Sequence, residues 1–281
     1  MRVYVSVDME GIAGIAHMRQ VWRGSDDYPA CRELMTREAN AAVEGAFDGG
    51  ATSVVVNDSH GDMANLLPEM MDERAELLIG SPKPASMMQG LNGEAGVILC
   101  IGYHARAGTE AAVLDHTYAG RIVYDLRVNG ESWTEADLNA AYAGTFGVPI
   151  GMVTGDDKAC AQAEERLPAV RTVVVKEGLG KGVALSVHPA AARAAIRRTA
   201  AETVRTAFGG GFAPFRPEPP FALEVDVLNT GIADLCALVP GAERIGPRTL
   251  RFDAEDFLDA WRCLMTWTYL GMSEAPRYAG T

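Results

Sequence analysis

The first strand of this chain ends in two acids. Val3-Tyr4-Val5-Ser6-Val7 is a short apolar run that leads directly into Asp8-Met9-Glu10-Gly11. Residues two apart on an extended chain point to the same side, so Asp8 and Glu10 share one. Carboxylates at the end of a buried strand are costly unless something positive meets them. Two further apolar runs end in histidine, in Asn57-Asp58-Ser59-His60 and Gly102-Tyr103-His104. Acids and imidazoles at three strand endings point to a metal ion as the compensating charge.

Residues 1–187 read as strands alternating with helices. Strands are expected at 2–7, 52–57, 76–79, 96–102, 122–128, 149–153 and 171–176. Helices are expected at 29–48, 63–72, 84–90, 134–146, 157–166 and 188–208. Runs such as Ser53-Val54-Val55-Val56 and Val97-Ile98-Leu99-Cys100-Ile101 are continuously apolar, as in a sheet covered on both faces. The alternation predicts an α/β fold with a mostly parallel sheet flanked by helices. Gly209-Gly210-Gly211 and the prolines at 214, 217, 219 and 220 read as a linker. Beyond it lie a strand (221–228), a helix (231–237), a strand (248–253) and a helix (254–270). With the helix at 188–208 they form a smaller two-layer α+β unit. The expected division is therefore a metal-binding catalytic domain, 1–187, and an α+β domain, 188–281, that contributes to oligomerisation.

A chain of 281 residues needs no disulfide staples to bury a core. Its five cysteines are scattered, odd in number and form no Cys-x-x-Cys, which fits a reducing, cytoplasmic setting. The opening residues are too short and too polar for a signal peptide. No apolar run is long enough for a transmembrane helix, and a net charge of −12 disfavours nucleic acid or an anionic membrane as a partner.

In open parallel sheets, functional groups gather beyond the carboxyl ends of the strands. Adjacent strand endings would bring Asp8, Glu10, Asp58, His60 and His104 together as a set suited to zinc, with manganese or cobalt as alternatives. Sets of this size often serve two metals that share a carboxylate. Each residue has a plainer role as well. Asp58 reads better as the cap of a helix near residue 63. Ser132-Trp133-Thr134-Glu135 matches a capping box, which would occupy Glu135. His116 is open to three readings: ligand, general acid or base, or ordinary loop residue. His188-Pro189 reads as a helix entry. Gly178-Leu179-Gly180-Lys181 lacks the spacing of a phosphate loop.

Ser6-Val7-Asp8-Met9-Glu10-Gly11, Asn57-Asp58-Ser59-His60 and Gly102-Tyr103-His104-Ala105-Arg106-Ala107 resemble the zinc-dependent D-aminopeptidases of the DppA type, associated with dipeptide-transport operons. The similarity extends over nearly the whole chain, through Lys83-Pro84, Leu138-Asn139-Ala140 and Gly155-Asp156-Asp157. It implies two zinc ions per subunit, held by Asp8, Glu10, His60, His104 and Glu135, with Asp8 as the bridge. It therefore assigns Glu135 to the metal rather than to the cap, with Glu131 the competing acid nearby. His116 takes the position of the family's catalytic histidine. The implied substrate is a short peptide, and the implied assembly is a ring-shaped homo-oligomer such as a decamer. The residues alone leave open another amide hydrolase, a phosphoesterase or a non-catalytic peptide-binding protein.

Overall fold

The computed structural model describes residues 1–274. Seven strands form the main sheet: β1 (Arg2–Val7), β2 (Ser53–Asp58), β3 (Ala75–Leu78), β4 (Ala95–Tyr103), β7 (Ile150–Asp156), β8 (Arg171–Gly180) and β9 (Val183–Ser186). Their spatial order is β3-β2-β1-β4-β7-β8-β9, parallel except for β9 at the edge. The chain builds outward from β1 through β2 to β3, then returns to place β4 on the other side of β1. The order therefore reverses between β1 and β4, where an open sheet leaves a crevice at its carboxyl edge.

The apolar runs fill the sheet interior, with Val3, Val5 and Val7 of β1 and Val97, Leu99 and Ile101 of β4 fully buried. Helices α2 (Tyr28–Asp48) and α5 (Pro189–Phe208) pack on one face and against each other. They contribute Met35, Ala39, Val43, Ile196, Ala200 and Val204 to one continuous core. On the other face lie α3 (Glu135–Thr145) and α4 (Asp157–Arg166), with Ala136, Ala140, Ala143 and Ala163 beneath them.

The second sheet is antiparallel, in the order β11-β12-β10-β5-β6. It comprises β5 (Val123–Val128), β6 (Glu131–Ser132), β10 (Phe221–Val227), β11 (Ala242–Arg244) and β12 (Thr249–Ala254), with α6 (Thr230–Cys236) and α7 (Phe257–Glu274) in the same core cluster. Two elements thus lie elsewhere than the linear reading puts them. Helix α5 belongs with the first sheet, because its alanine-rich buried stripe matches that of α2. Strand β5 joins β10 rather than the parallel sheet. Its buried Leu126 and Val128 alternate with the partly exposed Asp125 and Arg127, as in a half-buried antiparallel strand.

The helices expected at 63–72 and 84–90 are single 3₁₀ turns, Pro68–Met70 and Ser86–Met88. Asp58 is the reason for the first. Its Oδ2 accepts from the backbone N–H groups of Asn65 and Leu66, at 2.5 and 2.7 Å, and its Oδ1 from Asn65 Nδ2 at 2.8 Å. The acid holds a folded loop where a helix was expected, so Asp58 caps no helix and its carboxylate is taken up by that loop.

Candidate metal centre

Strands β2, β1 and β4 lie side by side, so three of the sequence-predicted endings meet. Val7 pairs with Asp58 on one side and Ile101 on the other. Past the strand ends, Ser59 N–H donates to Val7 O, Asp8 N–H to Ile101 O and Gly11 N–H to Gly102 O, each at 2.8 Å. Gly11 and Gly102 permit this approach. A Cβ on Gly11 would sit 2.0 Å from the Tyr103 carbonyl oxygen, and one on Gly102 (φ +72°) 2.4 Å from that of Asp8.

Asp8 stands between two histidines. Its Oδ1 lies 3.2 Å from His60 Nδ1 and its Oδ2 3.5 Å from His104 Nε2. Glu10 Oε2 is 3.0 Å from the same His60 nitrogen. Glu135 Oε1 approaches His104 Nε2 at 3.3 Å and His116 Nε2 at 3.9 Å. Asp8, Glu10, His60, His104 and Glu135 are all buried. The His116 side chain is 23% exposed and opens to the cavity above. Its ring stacks on that of His104, centroids 3.9 Å apart.

Each histidine uses one nitrogen to fix the other. His60 Nε2 donates to Val21 O at 2.8 Å, His104 Nδ1 to Ala105 O at 2.9 Å and His116 Nδ1 to Leu114 O at 2.9 Å. A carbonyl only accepts, so the proton is on the nitrogen facing it. In a neutral ring the opposite nitrogen then presents a lone pair to the carboxylates. This is the posture of metal-ligating histidines, oriented by a backbone carbonyl. His104 Nε2 is buried without a partner in hydrogen-bond geometry. The donor set, the three anchored rings and this nitrogen fit a transition-metal cation such as zinc.

The electrostatics show the same demand for positive charge. Burial and the neighbouring Glu10 push Asp8 up to about 7. Burial alone would lower His104, but Glu135 and Asp8 outweigh it and raise the ring to about 10. His60 is likewise held well above its ordinary range against the cost of burial, chiefly by Glu10. His116 moves down, through burial and repulsion from His104. A cation among these atoms would take the place of the protons that the carboxylates otherwise hold on His60 and His104.

The capping box before α3 exists, two residues further on. Thr134 is the N-cap, accepting from Asp137 N–H at 2.9 Å while Asp137 Oδ2 accepts from Thr134 N–H at 2.9 Å. Glu135, at the first helical position, is therefore free to face His104 and accept from Tyr118 N–H at 2.6 Å. Glu131 is exposed and pairs with Arg166. His188 caps α5, as read. Gly178 and Gly180 lie in β8, and Lys181 pairs with Asp115 at 2.8 Å, which braces the loop bearing His116. That loop carries non-glycine residues with positive φ at Ala111, Leu114 and Tyr118, strain of a kind that concentrates at functional sites.

Two buried lysines escaped the sequence reading as functional groups. Lys176 Nζ donates to the backbone oxygens of Glu10, Ile12 and Ile15, and Lys83 Nζ to Asn57 Oδ1 and the backbone oxygens of Asp58 and Leu78. They clamp the loops that carry Glu10 and His60. The signal for Lys176 was present: Val173-Val174-Val175-Lys176 is another charge at the end of an apolar run.

A cavity of about 590 Å³ opens over the cluster, lined by Asp8, Glu10, His60, His116 and Glu135. It can admit a small molecule to the acids and imidazoles while the protein shields them from bulk water.

Comparison with known proteins gives matches over nearly the whole chain. Residues 1–266 match the family model described as D-aminopeptidase. A curated D-aminopeptidase of Bacillus subtilis (strain 168) is 37% identical over 280 residues, covering 97% of this chain and 98% of the relative. The solved structure of the zinc-dependent D-aminopeptidase DppA from Bacillus subtilis, described as a self-compartmentalizing protease, superposes with a TM-score of 0.89. It is 37% identical, with 97% of this chain and 98% of that one covered. With the family model spanning nearly the whole chain and the relative aligned end to end, this protein belongs to the D-aminopeptidase family.

Proposed function

We propose that the protein is a two-zinc aminopeptidase that removes an N-terminal D-amino acid from short peptides. The observation that carries this reading is the arrangement of the three histidines, each anchored to a backbone carbonyl and turned toward shared carboxylates. Asp8, Glu10, His60, His104 and Glu135 would hold the metals, with Asp8 between the two, as its oxygens lie between His60 and His104. Zinc, when bound, supplies a hydroxide at neutral pH and polarises a carbonyl oxygen.

The chain's own residues do the rest. His116 stands at the cavity side of the cluster, where its Nε2 lone pair can take a proton from the attacking water and then hand it to the leaving amine. Its Nδ1 bond to Leu114 O fixes the ring for that role. The substrate's free amine would meet the metal end of the cavity, where carboxylate oxygens not engaged by the metals can accept its N–H groups. The cavity walls exclude bulk water, so these charges act at reduced dielectric. The zinc-dependent relative is described as self-compartmentalizing, and this supports a ring-shaped homo-oligomer to which the second-sheet unit contributes subunit contacts. The absence of any membrane-crossing helix among the described residues, the scattered free cysteines and the negative charge support a cytoplasmic setting.

The test separates ligands from catalyst. Glu10→Ala and His60→Ala should each lose bound zinc and lower D-alanyl-peptide hydrolysis by more than about 100-fold, beyond the loss typical of a group that merely supports a ligand. His116→Ala should keep its zinc and lose kcat. Unchanged zinc content and rate in the first two variants would refute the ligand assignment.

A further inference from the structure

Three cationic side chains line the cavity over the metal centre: Arg23, Arg121 and Lys181. Two are already satisfied. Arg23 pairs with Asp62 at 2.7 Å and donates to Ala64 O at 2.7 Å. Lys181 donates to the side chain and backbone oxygen of Asp115, at 2.8 and 2.7 Å. Arg121 alone of the three has no acid or carbonyl partner among the described residues. Its guanidinium lies 3.8 Å above the centre of the Trp22 ring. A guanidinium held by an aromatic face keeps its N–H edge free, and that edge matches a carboxylate with two parallel hydrogen bonds.

The position of Arg121 suits a short substrate. It follows Tyr118 by three residues, and the Tyr118 N–H holds Glu135 at the metal centre. Three residues span at most about 10 Å of backbone, so Arg121 stays close to the metal centre. Arg121 and Glu135 also both line a neighbouring cavity of about 440 Å³. The two residues thus stand at the junction of two spaces, with acids at the metal end and one unpaired cation at the other.

We propose that Arg121 binds the C-terminal carboxylate of the peptide and so sets a preference for very short peptides. This rests on the aminopeptidase reading of the same centre. The metal end would take the substrate's amine and Arg121 its carboxylate. The scissile bond of a dipeptide or tripeptide would then lie over Asp8 and His116, whereas a longer peptide would carry its carboxylate past the guanidinium.

The test compares D-alanyl-D-alanine with its C-terminal amide, using the wild type, Arg121→Ala and Arg121→Lys. A lost charge-assisted bond predicts a 10- to 100-fold fall in kcat/KM for the free dipeptide in Arg121→Ala, expressed mainly in KM. The amide should change little, zinc content should not change, and Arg121→Lys should recover part of the loss. Equal losses on dipeptide and amide, or no loss on either, would overturn the proposal. A wild-type protein that hydrolyses neither compound would overturn it together with the aminopeptidase reading. A wild type that cleaves both equally well would overturn the carboxylate role alone.

Discussion

The two sheets treat acidic residues in opposite ways. On the second sheet, Arg127 reaches Asp125, Asp226 and Glu224, and Arg251 reaches Glu224 and Asp253. Every acid named there has a guanidinium partner at a partly exposed surface. At the carboxyl edge of the first sheet, Asp8, Glu10 and Glu135 are buried, and their charged neighbours within ion-pairing distance are histidines. Two lysines lie close by, yet both donate to neutral oxygens of the chain. One region gives each of its acids a guanidinium partner from the chain, while the other would be completed by an outside cation.

Zinc should therefore reveal the difference most strongly. At a thousandfold excess over its dissociation constant, zinc should stabilise the protein by about 4 kcal/mol, measured by thermal denaturation with and without chelator. Binding should also release protons. In the metal-free fold His104 titrates at about 10, against an ordinary value near 6.5. Its contribution to metal-free stability is complete below about 6.5 and lost as the pH rises through 10. Zinc competes with that proton, so affinity should rise with pH across this window. Calorimetry in buffers of different ionisation heat would show the release, and its absence would mean that zinc binds elsewhere.

The supporting cations provide the next contrast. Lys176→Met should leave three buried carbonyl oxygens short of a donor and destabilise the metal-free protein by about 3 kcal/mol or more, read by urea denaturation. It should also weaken zinc binding, because the loop that it clamps carries Glu10. Arg127→Met, in the second sheet, should cost no more than about 1 kcal/mol and leave zinc affinity unchanged. A larger cost for Arg127→Met than for Lys176→Met would break the comparison.

Much of the centre was legible because charge at the end of an apolar run is conspicuous. That signal exposed Asp8, Glu10, His60 and His104, and applied to β8 it would have exposed Lys176. It was ambiguous for Asp58, whose carboxylate turned out to organise the loop before Leu66. Glu135 was harder. A capping box spaced on Ser132 would have occupied it, whereas the box spaced on Thr134 releases it, and four-residue spacing alone favours the first. Arg121 carried no signal at all, because its significance lies in the partners it lacks.

The α/β alternation, the apolar strands and the acids and imidazoles at their ends are local properties, and the sequence by itself determined them. Only the tertiary structure decided that β1 lies between β2 and β4, so that distant endings meet at the reversal of strand order. It also decided that α5 packs on the first sheet and β5 in the second. These outcomes depend on which buried surfaces fit one another across long stretches of chain. The acidic strand ending at Asp8 is the place proposed for a cation, and the pairing of strands brings it the imidazoles that could share that cation.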